Sequence, residues 1–405
     1  MEPDTTVTFM GMRMERTTRW NFLCEAGNAW LLGGYIGVVG PFGIPLAVRM
    51  GANGLQVALM AAAPFIANLA APFWATRSQH ARKLPWVVVP HLFWRSLLGA
   101  VGVVKNPAII SGLYLGANTA SAAANPAYGA LVQKVFPPPI RGRLMGYVRL
   151  ILAGSMLAFT LTAGQLIDRL NPAWLFLPAS ALGLLGLAVY AQTKEPTNAG
   201  APTGPLSRPS ALAGLRLAVA DRQFRNYLLA VFVFHGGVLL ASPLYAVYQV
   251  RQMGLTNSEI GYLSIAWNIA WLIAFAVWGR VIDRKGAPTV VAWAAVLYAG
   301  MPLAYGLGGG WYGAAILGAL SQGAADAAID LGGWNMVLRV NPERVGPYTS
   351  AAMTVTGIRG ALGPLLGSWL LQAAGFQVTF LTAAALVMVG LTMFLAGRRG
   401  QAAEL

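Results

Sequence analysis

An all-α integral membrane protein made of two related six-helix bundles is the fold class that this sequence predicts, and three observations predict it. The first is a repeat: residues 253–288, MGLTNSEIGYLSIAWNIAWLIAFAVWGRVIDRKGAP, overlie residues 50–85, MGANGLQVALMAAAPFIANLAAPFWATRSQHARKLP, at a constant shift of 203 residues. At that shift Met50 and Gly51 fall on Met253 and Gly254, Arg77 on Arg280, Arg82 on Lys285 and Pro85 on Pro288, with no gap. The same shift carries Gly33 and Gly34 onto Gly236 and Gly237, Pro139 onto Pro342 and Arg141 onto Arg344, so the duplication spans most of the chain. The second is composition: 57% of residues are hydrophobic and 10% charged, with 48 glycines, which excludes a soluble globular domain. The third is length, because 405 residues hold twelve apolar runs of about 22 residues each, the length that crosses a bilayer as a helix.

The spans read, in order, near 20–45, 54–75, 86–104, 108–133, 145–167, 174–192, 227–250, 258–279, 288–307, 311–337, 347–373 and 378–396. Placing the N-terminus in the cytoplasm puts 21 of the 28 Lys and Arg residues in cytoplasmic segments and four, Arg49, Lys105, Arg169 and Arg251, in outside loops. Three stay inside spans: Arg95, Arg149 and Arg359. This positive-inside bias predicts a multi-pass protein of the cytoplasmic (inner) membrane with both termini in the cytoplasm. The net charge of +15 is then a matter of topology and not of nucleic-acid binding. A single cysteine, Cys24, excludes a disulfide framework and a thiolate metal site. The first 19 residues are charged and lack an apolar run, so no cleaved signal peptide is expected and the first span serves as the insertion signal.

Three segments follow: a first bundle over 1–192, a cytoplasmic linker over 193–226 and a second bundle over 227–405. The linker begins rich in Pro, Gly, Ser and Thr, which reads as flexible. Residues 210–225 read either as a short basic helix on anionic headgroups, with Leu212, Leu215 and Val219 at the oily boundary, or as the start of the next span.

GRVIDRKG at 279–286 resembles the signature Gly-x-x-x-Asp-Arg-x-Gly of the major facilitator superfamily, found between the second and third helices of each half. The duplication, the twelve spans and the central linker extend the resemblance over nearly the whole chain. It implies two six-helix bundles related by a pseudo-twofold axis, a monomer, and a cytoplasmic latch built here from Gly279, Arg280, Asp283, Arg284 and Gly286, with Arg77 and His80 in the first-half copy. That copy departs from the pattern, since His80 and Ala81 stand where Asp283 and Arg284 stand, so its latch is expected to be weaker or differently built.

Charges inside spans are costly and mark ion paths, solute paths or fixed pairs. Asp326 and Asp330 lie four residues apart on the tenth span and share a face. Counted from the cytoplasmic ends at ~1.5 Å per residue, Asp326 and Arg359 both lie ~18 Å deep and Asp330 ~12 Å deep. The reading is that Arg359 pairs with Asp326 and that Asp330 carries a proton; a static salt bridge between neighbouring spans is the plain alternative. Glu25, ~8 Å inside the first span, has Arg149 of the fifth span as its expected partner, as a lock or a coupling pair. Arg95 and His91 sit on the third span, peripheral in the family, which favours packing or snorkelling. His235 is expected to line the central cavity, against the alternative of a structural donor. Asn118, Asn125 and Tyr128 of the fourth span join it in the expected solute cavity, with Tyr245, Tyr248, Asn268, Trp271 and Gln322 on the other half. Gly360, Gly363, Pro364 and Gly367 resemble a glycine-proline hinge, but on the eleventh span and not on the fifth, where the family's antiporters carry it.

The function expected is a secondary transporter that rocks two bundles about a midplane site, with a small-molecule solute and H⁺ as partners and no cofactor or metal. Proton-coupled export of an amphiphilic compound leads, and uptake of a small metabolite or organic anion, with Arg359 or Arg149 as clamp, is the rival. A non-transporting sensor or scaffold on the same fold is a third reading. A membrane enzyme is disfavoured because His80, His91 and His235 are scattered and no nucleophile motif or metal spacing occurs. ATP-driven transport is disfavoured because no Gly-x-x-x-x-Gly-Lys loop occurs.

Overall fold

The computed structural model describes residues 6–78, 81–196, 216, 220–340 and 345–403. Among the described residues the chain is a β-hairpin followed by twelve spans in the expected order. The first six are Arg16–Arg49, Gly54–Asn68 continued by Ala71–Ser78, Lys83–Gly99, Pro107–Val135, Pro138–Ile167 and Ala173–Tyr190. The next four are Arg222–Arg251, Asn257–Lys285, Ala287–Leu307 and Tyr312–Val340. Val345–Ala403 holds the eleventh and twelfth, separated by a kink at Gly375, whose φ of 78° is one that glycine adopts freely. Eight helices among the described residues are long and apolar enough to cross a membrane, the last one counting once. The others are the interrupted second span and the fourth and tenth, which carry the polar residues singled out above.

The duplication is preserved at the level of hydrogen bonds. Asn53 opens the second span with a capping box closed by Gln56, and Thr256 opens the eighth with one closed by Glu259. Both pairs are related by the 203-residue shift, and each satisfies backbone N–H groups that a helix start leaves without partners. The fifth span begins earlier than expected: Pro138 and Pro139, read as loop, form its first turn, where a proline's missing N–H costs nothing.

By contact the residues form two compact units, 1–46 with 70–204 and 47–69 with 205–405. In the first unit the first and fifth spans approach closely. Ser155 Oγ donates to the Trp30 carbonyl at 2.6 Å and Thr160 Oγ1 to the Gly37 carbonyl at 2.9 Å. The hairpin belongs to this unit and had no sequence signal of its own. Strands β1 (Thr6–Phe9) and β2 (Met12–Glu15) pair antiparallel through a turn in which Met10 and Gly11 both have positive φ, the twist that suits a two-residue hairpin. Met12 and Met14 are buried beside Phe22, Leu131, Val135 and Leu144, while the Arg19 guanidinium lies 5.4 Å over the Phe9 ring.

The expected linker is anchored at its start. Lys194 and Asn21 exchange two hydrogen bonds, and Trp20 Nε1 donates to the Gln192 carbonyl at 3.1 Å. Leu212, Leu215 and Val219 lie outside the described residues, and Arg222 and Arg225 open the seventh span behind an Asp221 cap.

In the second unit the seventh span runs along the eleventh and twelfth. A Cβ on Gly363 or Gly367 would collide with Leu239 and Leu240, and one on Gly237 or Gly390 with Ala383 or Phe234. These glycines act by close approach, and Gly360 does so too, lying under Phe65. Residues 47–69 pack into this unit: Ser368 Oγ donates to the Gly54 carbonyl at 2.9 Å, Arg251 Nη2 to the Ala52 carbonyl at 2.6 Å and Arg49 Nη2 to the Leu255 carbonyl.

Candidate functional site

The first unit encloses a cavity of about 260 Å³ between its first, third, fourth, fifth and sixth spans. Glu25, Asn125, Tyr128 and Arg149, all expected site residues, line it. Glu25 is buried and its Oε1 accepts from the Tyr128 hydroxyl at 2.9 Å. The expected Glu25–Arg149 ion pair is absent: Arg149 is exposed and makes no hydrogen bond among the described residues. A tyrosine of the fourth span satisfies the carboxylate, and both charged side chains line the cavity. Asn118, expected beside them, instead returns its amide to the Tyr114 carbonyl of its own helix at 2.8 Å.

Arg95, expected either to pack or to snorkel, packs. It does not snorkel; it is 1% exposed and lines the same cavity as His91 and Tyr190. Its Nη2 donates to Asn28 Oδ1 at 3.0 Å and its Nη1 to the Gly183 carbonyl, while Ser180 Oγ donates to its own carbonyl at 2.8 Å. The Nε has no partner. The available signal was its rarity as an arginine within a span, together with Asn28 on the facing helix.

In the second unit Asp326 is the centre of the polar site. Its Oδ1 accepts from the Tyr298 hydroxyl at 2.6 Å and from Gln322 Nε2 at 3.4 Å, and its Oδ2 from Trp267 Nε1 at 2.7 Å. The expected Arg359–Asp326 pair does not form. Arg359 is buried and donates to the Val231 carbonyl at 3.0 Å and to Thr356 Oγ1 at 3.2 Å. Three neutral donors already fill the carboxylate, and the guanidinium finds a carbonyl on the neighbouring helix. Asp330 Oδ2 accepts from Trp271 Nε1 at 3.4 Å, so two indoles four residues apart on the eighth span meet two carboxyls four residues apart on the tenth. Trp267 and Tyr298 are the partners that sequence reasoning missed, since an aromatic on an apolar helix carries no sign of what its polar tip reaches.

His235 stacks on Phe234 at 4.6 Å and meets Tyr298 at 5.0 Å, with Nδ1 buried and without a partner. Asn268 is buried and bonds its own helix at the Ser264 carbonyl. Tyr245 and Tyr248, expected in the cavity, instead join a packed aromatic cluster with Tyr305, Phe376 and Phe380. In the loop signature Gly286 takes φ 79° to end the eighth span, the left-handed residue that favours glycine there. Arg280 bonds the Ala276 carbonyl of its own helix, and Asp283 and Arg284, C-terminal to Gly279, are exposed and in no ion pair among the described residues. Arg77 lies over the Phe73 ring at 5.5 Å; His80 lies outside the described residues.

The family model described as Major Facilitator Superfamily matches residues 227–404. The chain is 25% identical over 149 residues to the transcription regulatory protein OpdE of Pseudomonas aeruginosa, spanning 37% of that relative's length. Among solved structures, a point mutant of the nucleoside transporter NupG superposes with a TM-score of 0.76 at 13% identity, covering 93% of this chain and 99% of that one. A bacterial homolog of the human lysosomal transporter Spinster, inward-facing and unoccupied, gives 0.67 at 13% identity, covering 95% and 98%. The family's sequence pattern thus covers the second half of this multi-pass membrane protein, residues 227–404, and the all-α fold of these transporters covers nearly its whole length.

Proposed function

We propose that this protein is a secondary transporter that carries a small amphiphilic solute across the cytoplasmic membrane by alternating access and couples the movement to protons. One observation carries the proton coupling. Each compact unit holds an intramembrane carboxyl, Glu25 or Asp326, that is hydrogen-bonded only by uncharged groups and is in no ion pair among the described residues. A carboxyl permanently neutralised by an arginine is a structural element, whereas one held by hydroxyl, indole and amide donors can lose and regain a proton without breaking an ion pair. The proton site therefore moves from Asp330, favoured on the premise that Arg359 neutralises Asp326, to Asp326 itself. Glu25 is its counterpart in the first unit.

The test is proton movement in proteoliposomes loaded with a pH-sensitive dye, across a panel of amphiphilic drugs, organic acids, sugars and nucleosides. Nucleosides are included because a protein of similar fold is named for them. We expect a solute-dependent pH change that Asp326→Asn and Glu25→Gln each reduce at least tenfold. For an imposed solute gradient, the sign of the change separates the two modes of coupling: antiport, the mode of the export favoured from sequence, drives protons opposite to solute, and symport drives them with it. Solute flux that survives both substitutions with its proton stoichiometry intact would overturn the proposal.

A second reading, a sensor or regulator on a transporter fold, is favoured by the similarity to a protein named as a transcription regulator. It predicts solute binding without flux, and a biological response that persists when both carboxyls are neutralised.

A further inference from the structure

We propose that the cavity of the first unit binds the carboxylate end of a small amphiphilic anion, with Arg149 as its anchor and Glu25 as the carrier of the proton that travels with it. The inference rests on the reading of the protein as a proton-coupled carrier and names the solute class. Charge is the first argument. Two guanidiniums, Arg95 and Arg149, and one carboxyl, Glu25, line the cavity, so positive charge is in excess whether Glu25 is ionised or protonated, and a monoanion reduces that excess. Availability is the second argument. Arg149 is exposed and makes no hydrogen bond or ion pair among the described residues, while Arg95, 1% exposed, is braced by Asn28 and Gly183 and keeps an unpartnered Nε. Arg149 is thus the guanidinium free to take a ligand, and a guanidinium is the side chain best shaped for a carboxylate.

The rest of the wall limits the remainder of the solute. Leu32, Val87, Trp94 and Leu152 supply an apolar face, and 260 Å³ lies below the ~300–1,000 Å³ of drug-sized sites, so the tail is one ring or a short chain. Glu25 gives the coupling. The groups facing it are the Tyr128 hydroxyl of the fourth span, Arg95 and His91 of the third, Arg149 of the fifth and Tyr190 of the sixth, with Cys24 beside it on its own helix. A carboxylate entering this space repels a second negative charge, so the anion and a proton on Glu25 favour one another by the same factor. Bound together they would move in the same direction, which is symport.

Three probes of one shape test the charge: 3-phenylpropanoate, 3-phenylpropylamine and 3-phenylpropan-1-ol, titrated calorimetrically into the purified full-length protein in detergent. The carboxylate is expected to bind at least tenfold more tightly than the amine or the alcohol. Arg149→Gln, at an exposed site with no bonds to lose, should weaken it at least tenfold. Repeating the titration in two buffers of different ionisation enthalpy should show net proton uptake with the carboxylate, which Glu25→Gln abolishes while binding persists. Equal binding of the amine or alcohol, an unaffected Arg149→Gln variant, or binding without proton uptake overturns the inference. A protein that binds the carboxylate with proton uptake yet moves nothing in proteoliposomes would overturn the transport reading and leave this site standing.

Discussion

The third span has no capping side chain of its own: its N-cap is Arg82, which makes no cap bond. The N–H groups of Lys83 and Leu84 are taken instead by Glu195, at 2.9–3.0 Å, and Lys134 Nζ closes the cluster with an ion pair to the same carboxylate at 3.2 Å. Burial works against the Glu195 charge, but these hydrogen bonds outweigh it and hold its carboxyl below the ordinary glutamate range. The first half of the chain thus recovers from a distance the acid that its loop signature lacks. A carboxyl lowered on folding contributes stability above its unfolded pKa, ~4.3, and loses that contribution as the pH falls through its lower folded value. Glu195→Gln should therefore cost about 1 kcal/mol near pH 7, in the range of a lost helix cap. The gap between wild type and variant in thermal unfolding should close below pH ~4. A gap that is unchanged at acid pH would show that the carboxylate's charge plays no part.

At the scale of the element, small residues decide which helices touch. A Cβ at Gly37 would meet the Met156 carbonyl and the Thr160 N–H of the fifth span, whereas one at Gly154, on the fifth span itself, meets nothing within 4 Å. Gly37→Leu should destabilise the protein by about 1–3 kcal/mol through overpacking. Gly154→Ala should leave stability unchanged or raise it by up to ~1 kcal/mol, because alanine is the better helix former. Thermal unfolding of the two variants side by side makes the comparison, and equal effects would contradict this account of the seam. The composition of these helices was legible as helices of membrane length, since apolar runs and caps are local. Which glycine meets a neighbour was not, because Gly37 and Gly154 read alike in the chain.

At the scale of the whole molecule, the duplication reappears as a reciprocal pair of hydrogen bonds. Ala52 and Leu255 are equivalent under the 203-residue shift, and each offers its carbonyl to an arginine next to the other: Arg251 to Ala52 and Arg49 to Leu255. Together with Ser368 on Gly54 and Phe65 on Gly360, they hold residues 47–69 against the seventh-to-eighth turn and the eleventh span. Replacing both arginines with alanine should loosen this segment. A cysteine introduced at Ser368, in a variant lacking Cys24, should then react with a membrane-impermeant maleimide several-fold faster than it does with both arginines present. An unchanged labelling rate would show that the helix packing holds the segment without them.

The sequence by itself determined the number of spans, their order and the two related halves, because hydropathy, spacing and repeats are properties of neighbours along the chain. It also named most of the groups that carry charge inside the membrane. What only the tertiary structure decided is how those groups are satisfied. Depth along a helix axis suggested Arg359 for Asp326 and Arg149 for Glu25, but depth does not specify which way a side chain turns around its helix. Tyr298, Trp267 and Tyr128 take those carboxylates instead, Arg95 lines the cavity, and Arg149 is in no ion pair among the described residues. The physical reason is that a buried polar group is satisfied by whichever donor the packing brings within about 3 Å, and packing is a property of the fold as a whole.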